Sequence, residues 1–453
     1  MSALETTRRF DWDTFVARYW NQRPVLFKGT GASPFTLTDV FDASAGATRR
    51  YLERSYAVDS RPDVTFTVDR SRQLVLKPWL PRASDGSLEA YDARIAAEVG
   101  AKRYALIISS LHSSGYGLWS RERAFFAELW KRVGLPITGG ITTLFHGTYE
   151  HSPVGVHLDR FTTFLFALRG RKRMRFWRKR PWKEDVSTVL DYQPYLKDSF
   201  VAEVEPGDIL YWPSTYYHVG ESAGAGVTTS VNVGIPLTEH RTVYAVDDLL
   251  RGMIDETSLA DHEWTQTRLA RVDASPLMRD ALRAGGRLPT VLPRALSEAV
   301  EAFRDVSRPR DARRHIQETW LKRLTSGGFQ PVPDPAPTKR LRDGDRVHAD
   351  ARFPIVLEQE DTTRWICAAN GQALRGKGGG QAVAKLFKEL ASGRESRVGD
   401  LLRPFRSGGR TAPDVDVIAA TREGMRSVLE KLHACRALTQ GQGNSPHPPL
   451  DAS

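Results

Sequence analysis

Apolar positions recur with two different periods along this chain, and the switch between them divides it. Near the start, Phe15, Tyr19 and Trp20 fall at helical spacing. Pro24 then breaks the helix, and Val25 to Phe27 read as a short strand. Residues 87–134 return to helical spacing, most clearly over Asp92 to Val99 and Arg121 to Val133, and Gly134-Leu135-Pro136 closes the second stretch. From Gly140 to Pro236 the texture changes. Phe161 to Leu168, Arg173 to Trp177, Phe200 to Val204, Asp208 to Trp212 and Val227 to Val233 are β-branched or aromatic, with glycine and proline between them, as in Glu205 to Asp208. Short strands at such spacing predict an all-β sandwich or jelly roll.

Residues 238–328 read as helical again, with Thr242 to Ile254, Leu296 to Phe303 and Arg313 to Leu324 as examples. Gln330 to Pro337 places a proline at every second position, so 329–350 reads as a linker. Residues 351–438 predict a small domain. A strand around Trp365 to Ala368 precedes the glycine-rich Gly376 to Gly380, and helical pieces follow over Gln381 to Ala391 and Val415 to Leu438. The tail, 439–453, is polar and reads as disordered. With 1–237 as the first domain, the fold class is mixed α+β.

At 453 residues the chain fits two or three domains. Its net charge of +11 suits contact with polyanions such as nucleic acid, a ribonucleoprotein or an acidic peptide, and suits equally a basic surface that carries no message. The two cysteines, Cys367 and Cys435, match neither a zinc spacing nor a secreted disulfide framework. The first thirteen residues are polar and charged, unlike a signal peptide, and no apolar run reaches the length of a membrane span. The expectation is a cytoplasmic protein with no membrane partner.

The chemistry concentrates in His157-Leu158-Asp159 and in His218. Alternate residues of a strand share a face, so His157 and Asp159 point the same way and can bind one metal from one side. His218 follows the strand over Asp208 to Trp212 and the bend at Pro213, and a jelly roll brings such a distant strand beside the first pair. Two imidazoles and one carboxylate form the facial triad of non-haem Fe(II) oxygenases, which leaves positions for a bidentate 2-oxo acid and for O2. An H-x-D tripeptide is common by chance, so the neighbouring residues matter. Lys172, after the Arg169-Gly170-Arg171 turn, offers a cation for the distal carboxylate of 2-oxoglutarate, or is one more solvated member of a basic run. Ser230 and Asn232 share a strand face and offer hydrogen bonds to the co-substrate, or are ordinary polar strand positions. Phe161, Tyr211, Trp212, Tyr216 and Tyr217 read as a substrate groove or as packing.

The stretches Val154 to Trp177, Glu205 to Pro213, His218 and Thr228 to Asn232 together resemble the JmjC branch of the cupin superfamily. Within it the pattern is similar to the ribosomal oxygenases and to the asparaginyl hydroxylase that acts on hypoxia-inducible factor. Tyr19 to Leu26 also resembles the start of these enzymes. The resemblance implies a double-stranded β-helix core, with His157, Asp159 and His218 as Fe(II) ligands. It implies Lys172 at the 2-oxoglutarate tail, and Thr163, Ser230 and Asn232 lining the co-substrate pocket. It maps 238–328 onto a helical homodimerisation region and 351–438 onto a winged-helix domain. This sequence departs from relatives at Phe145, where several carry an aromatic hydroxyl; Tyr149 is nearby but off register. Arg160 follows Asp159 where many relatives have a neutral residue. The function implied is hydroxylation of an amino-acid side chain in a protein or peptide, either a ribosomal protein, with the enzyme working near RNA, or a natural-product precursor. The alternatives are a hydroxylase of a small molecule or modified nucleotide, and, in another class, a metal-binding cupin with a nucleic-acid-binding winged helix.

Overall fold

A computed structural model describes residues 4–53, 63–149, 151–224, 226–237, 309–350, 353–407 and 417–441. The chain divides into two compact units. One comprises 1–56, 60–238 and 321–453, and the other 57–59 and 239–320. Of the second unit, only the helical residues 309–320 fall among those described. The expected helices at 242–254 and 296–303 lie outside the described residues, as does the tail from 442.

The first unit opens with β1 (Glu5–Thr7), α1 (Trp12–Arg18), β2 (Val25–Phe27), α2 (Leu37–Glu53), β3 (Asp63–Val68) and β4 (Ser71–Arg72). It continues with α3 (Leu88–Val99), β5 (Tyr104–Ser109), α4 (Tyr116–Val133) and β6 (Ile141–Gly147). The helix expected from Asp92 starts at Leu88, because the Ser87 side chain accepts a hydrogen bond from the Ala90 backbone and caps the first turn. Asp11 does the same for α1, through Thr14 at 2.8 Å.

The strands that follow are β7 (Phe161–Arg169), β8 (Lys172–Trp177), β9 (Phe200–Val204), β10 (Ile209–Trp212), β11 (Tyr217–Ser222) and β12 (Thr228–Pro236). Nine strands form one sheet in the order β1-β2-β10-β7-β12-β6-β5-β3-β4, and β11-β8-β9 form a second. The expected double-stranded β-helix is present. Strand alternation divides the large sheet by face. Phe164, Phe166, Val231 and Val233 pack outward in the core that contains the residues of α1 to α4. Leu165, Ala167, Leu210 and Trp212 face the other way and meet Met174, Phe176 and Ala202 of the small sheet in a separate cluster. That interior between the sheets holds the candidate site.

Helix α5 (Pro309–Thr325) precedes the proline-rich segment. The C-terminal part then contains β13 (Arg346–Ala349), β14 (Val356–Gln359), β15 (Arg364–Ala369), β16 (Gln372–Lys377), α6 (Gly380–Ala391), β17 (Ser396–Arg397), α7 (Val398–Leu402), β18 (Val417–Ala419), α8 (Arg422–Ala434) and β19 (Leu438–Gln440). Three readings change here. The segment expected to be helical over 415–438 holds a strand, a helix and the start of another strand, because the Thr421 side chain caps α8 and Arg436 takes a left-handed turn. Residues 346–349, read as linker, pair with β17 and β19. Thr439 and Gln440, read as tail, are strand residues in that pairing. Cys367 and Cys435 are both free and buried. Arg123 of α4 reaches into this part: its Nη1 donates to Asn370 Oδ1 at 2.7 Å, and its guanidinium lies over the rings of Trp119 and Phe353.

Candidate metal centre

His157 and His218 pair through their own backbones. His157 N donates to His218 O at 3.1 Å, and His218 N donates to His157 O at 2.9 Å. An antiparallel exchange of this kind brings two side chains to the same face, and the ring centroids are 4.5 Å apart. Asp159, two residues on, inserts its carboxylate between them. Oδ1 lies 3.3 Å from His157 Nε2, and Oδ2 lies 3.4 Å from His218 Nε2. One ligand atom from each residue falls within 4.8 Å of the others.

The other ring nitrogens fix the orientation. His157 Nδ1 sits 3.0 Å from Gly155 O, and His218 Nδ1 sits 3.2 Å from Tyr216 O. With Nδ1 turned to a backbone carbonyl, each Nε2 is left facing Asp159, protonated while it donates to the carboxylate and free to bind a metal once that proton is lost. Burial pushes the Asp159 carboxyl up, but hydrogen bonds from both histidines outweigh it and hold the group well below the usual carboxylate range. Burial also opposes charge on His157, and Asp159 reverses that, so His157 is raised. His218 is more deeply placed and is lowered. The donor set is what Fe(II) prefers, two imidazoles and a carboxylate on one side.

Lys172, Thr163, Ser230 and Asn232 all face the same interior. Register decides this: Ser230 lies opposite Ala167, Asn232 opposite Leu165, and Thr163 opposite Trp212. On the small sheet, Lys172 and Met174 alternate with the outward Arg173 and Arg175, and His218 lies opposite Phe176. Ser230 Oγ and Asn232 Oδ1 are buried, with no hydrogen-bond partner among the described residues. Two orphaned polar atoms on one interior face fit a polar co-substrate better than a packed core.

Lys172 is buried, and its amino group meets the hydroxyl of Tyr149. Burial lowers its pKa from 10.5 to about 7, against the charge of Glu221. Phe145 lies beneath, its ring 5.4 Å from Nζ. Tyr149 therefore brings a hydroxyl to Lys172 where Phe145 has none, and the sequence reading set it aside. The signal was obscured by Gly147, which ends β6 at φ +142 and cancels the strand register. A Cβ there would stand 2.2 Å from Tyr104 O, so glycine is required.

Of the aromatic residues read as a groove, Tyr211 belongs to the core: its hydroxyl accepts from Thr162 at 2.6 Å and from the Asn21 backbone at 2.7 Å. Tyr216 and Tyr217 are half-buried near His218. Leu158, between the two N-terminal triad residues, is exposed, as are Val186 and Leu190 on the segment that bridges to Val156.

A family profile described as the JmjC domain matches residues 130–240. Over 291 residues the chain is 25% identical to the ribosomal protein uL16 3-hydroxylase of Escherichia coli (strain K12), covering 62% of this chain and 67% of that protein. Two solved structures from Escherichia coli, of ycfD and of the ribosomal oxygenase YcfD in complex with cobalt and 2-oxoglutarate, align at TM-scores of 0.43 with 14% and 15% identity. Each covers 96% of this chain and 99% of the other. No described helix is long and apolar enough to cross a membrane.

Proposed function

We propose, from the match of residues 130–240 to the JmjC domain profile, that the chain is an Fe(II)- and 2-oxoglutarate-dependent dioxygenase that hydroxylates an amino-acid side chain of a protein. The observation that carries the reading is the convergence of His157, Asp159 and His218 with both Nδ1 atoms committed to backbone carbonyls. These three would hold Fe(II). Bound there, Fe(II) would allow O2 to oxidise 2-oxoglutarate to succinate and CO2, one oxygen atom entering succinate and the other a substrate C–H bond.

The remaining residues bind and orient. Lys172, charged once a carboxylate arrives, pairs with the distal end of 2-oxoglutarate, and Tyr149 steadies its amino group. Ser230 and Asn232 satisfy their orphaned atoms on the co-substrate, and Thr163 lines the same wall. The buried interior excludes water from these contacts, which strengthens them. The uL16 hydroxylase likeness and the basic charge support a ribosomal protein as substrate, with the enzyme cytoplasmic and working near RNA. A homodimer through the region 238–328 and a winged-helix C-terminal domain complete the proposal.

The test is succinate formation from 2-oxoglutarate with Fe(II), run with ribosomal proteins as substrate and mass spectrometry for one added oxygen. His157→Ala must abolish both metal uptake and turnover. A wild-type chain that forms no succinate, yet binds nucleic acid with a steep salt dependence, is a binding protein and not an oxygenase.

A further inference from the structure

We propose, on the basis of the functional reading above, that Trp212 binds the co-substrate. Its indole N–H donates a hydrogen bond to the carboxylate of 2-oxoglutarate at the metal end of the barrel.

Trp212 ends β10 and is fully buried on the interior face, opposite Thr163. Its ring centroid lies 5.1 Å from that of His218 and 5.4 Å from that of Phe176. Its Nε1 is buried and has no hydrogen-bond partner among the described residues. The other well-buried indoles among the described residues behave differently. Trp119, Trp177, Trp182 and Trp365 donate to backbone carbonyls of Phe329, Tyr195, Val186 and Gly378 at 3.1, 2.8, 3.0 and 3.1 Å. A buried N–H without an acceptor is unfavourable, and a phenylalanine would fill an apolar wall without that penalty. Such a donor suits an acceptor that arrives with a ligand.

The position chooses the ligand atom. An indole N–H only donates, so its partner must be an acceptor. A 2-oxo diacid brings a carboxylate to each end of the barrel. Lys172 and Tyr149 take one end. Phe176, four residues along β8 from Lys172, marks the other, where His218 and Trp212 stand together.

The experiment uses the full chain loaded with Co(II), with 2-oxoglutarate titrated by calorimetry and melting followed with and without it. For Trp212→Phe we expect Co(II) affinity unchanged and 2-oxoglutarate Kd raised about tenfold, the loss of one hydrogen bond to a charged group. The ligand-free protein should melt no lower than wild type, and the rise in Tm on adding 2-oxoglutarate should shrink. Replacing Trp212 by β-(3-benzothienyl)alanine keeps the ring volume, removes only the donor, and must give the same loss. A Kd within twofold of wild type in that replacement overturns the inference. So does a ligand-free Tm that falls while the 2-oxoglutarate effect stays the same, because the N–H then serves the fold. A wild-type chain that binds Co(II) but not 2-oxoglutarate overturns the functional reading itself.

Discussion

Tyr149 and Lys172 meet inside the barrel, hydroxyl to amino group, at the end remote from His218. Burial holds the Lys172 pKa near 7, and its ordinary value is 10.5. Between those values the unfolded chain keeps a proton that the folded, ligand-free protein has released, so stability rises with pH across that window. Lys172→Met should lose this rise, as read from urea denaturation at the two ends of the window. An incoming carboxylate favours the charged amine, so 2-oxoglutarate binding above about pH 7 should take up a proton and weaken as pH rises. Calorimetry in buffers of different ionisation enthalpy measures the uptake, and Lys172→Met should abolish it.

Gly220 guards the same amino group. A Cβ at this position would lie 2.9 Å from Lys172 Cε and 3.0 Å from Nζ. The end of a lysine can swing away, so Gly220→Ala should fold with Tm near wild type. On the proposed role of Lys172, the displaced amine would no longer meet the co-substrate tail, and the 2-oxoglutarate KM should rise about tenfold or more while metal affinity holds. Metal titration and steady-state kinetics on one preparation separate the two.

Behind the large sheet, Asp92 of α3 joins three strands. It accepts from His146 and Tyr104 at 2.7 Å each and from Arg169 at 2.6 Å, and His146 meets Thr229 Oγ1 at 2.9 Å. Burial pushes the Asp92 carboxyl up, but His146, Tyr104 and Arg169 together bring it below its ordinary value. Its contribution is therefore present above the unfolded carboxylate pKa and is lost as pH falls through the lower, folded one. Asp92→Asn should destabilise the protein by about 3 kcal/mol, because it leaves buried partners without their charge. Chemical denaturation at neutral pH gives the number, and the deficit should narrow in acid.

Arg123 clamps the C-terminal part to α4 through Asn370. Arg123→Met keeps much of the stem's packing and removes the charged hydrogen bond, worth about 1.5–3 kcal/mol. We expect a lower Tm and faster proteolysis between Phe329 and Leu341, read by gel and mass spectrometry.

Much of the barrel was legible in the sequence because its strands are β-branched, alternating and bounded by glycine and proline. Strand alternation predicted the approach of His157 to Asp159, whereas in the structure His157 forms only an isolated bridge and Asp159 lies outside any strand; the approach of His218 needed the topology of a jelly roll. Helix starts were less legible, since the caps at Ser87 and Thr421 lie outside the apolar repeat. Tyr149 was hidden by the break at Gly147, and the Asp92 hub by the distance along the chain between residues 92, 146 and 169. Trp212 was read with the aromatic residues of a groove or of packing, but its unpaired N–H was not legible, because an orphaned donor is a property of the space around it.

The backbone exchange between His157 and His218 has a thermodynamic consequence. The two imidazoles are held together by peptide groups, so loading an ion does not have to organise the chain. Chelation should strip the centre without melting the barrel, and the emptied protein should take up divalent ions with affinity rising from manganese through iron and cobalt to nickel. Selectivity among those ions then falls to cellular supply and to the chemistry each can perform, not to the scaffold that receives them.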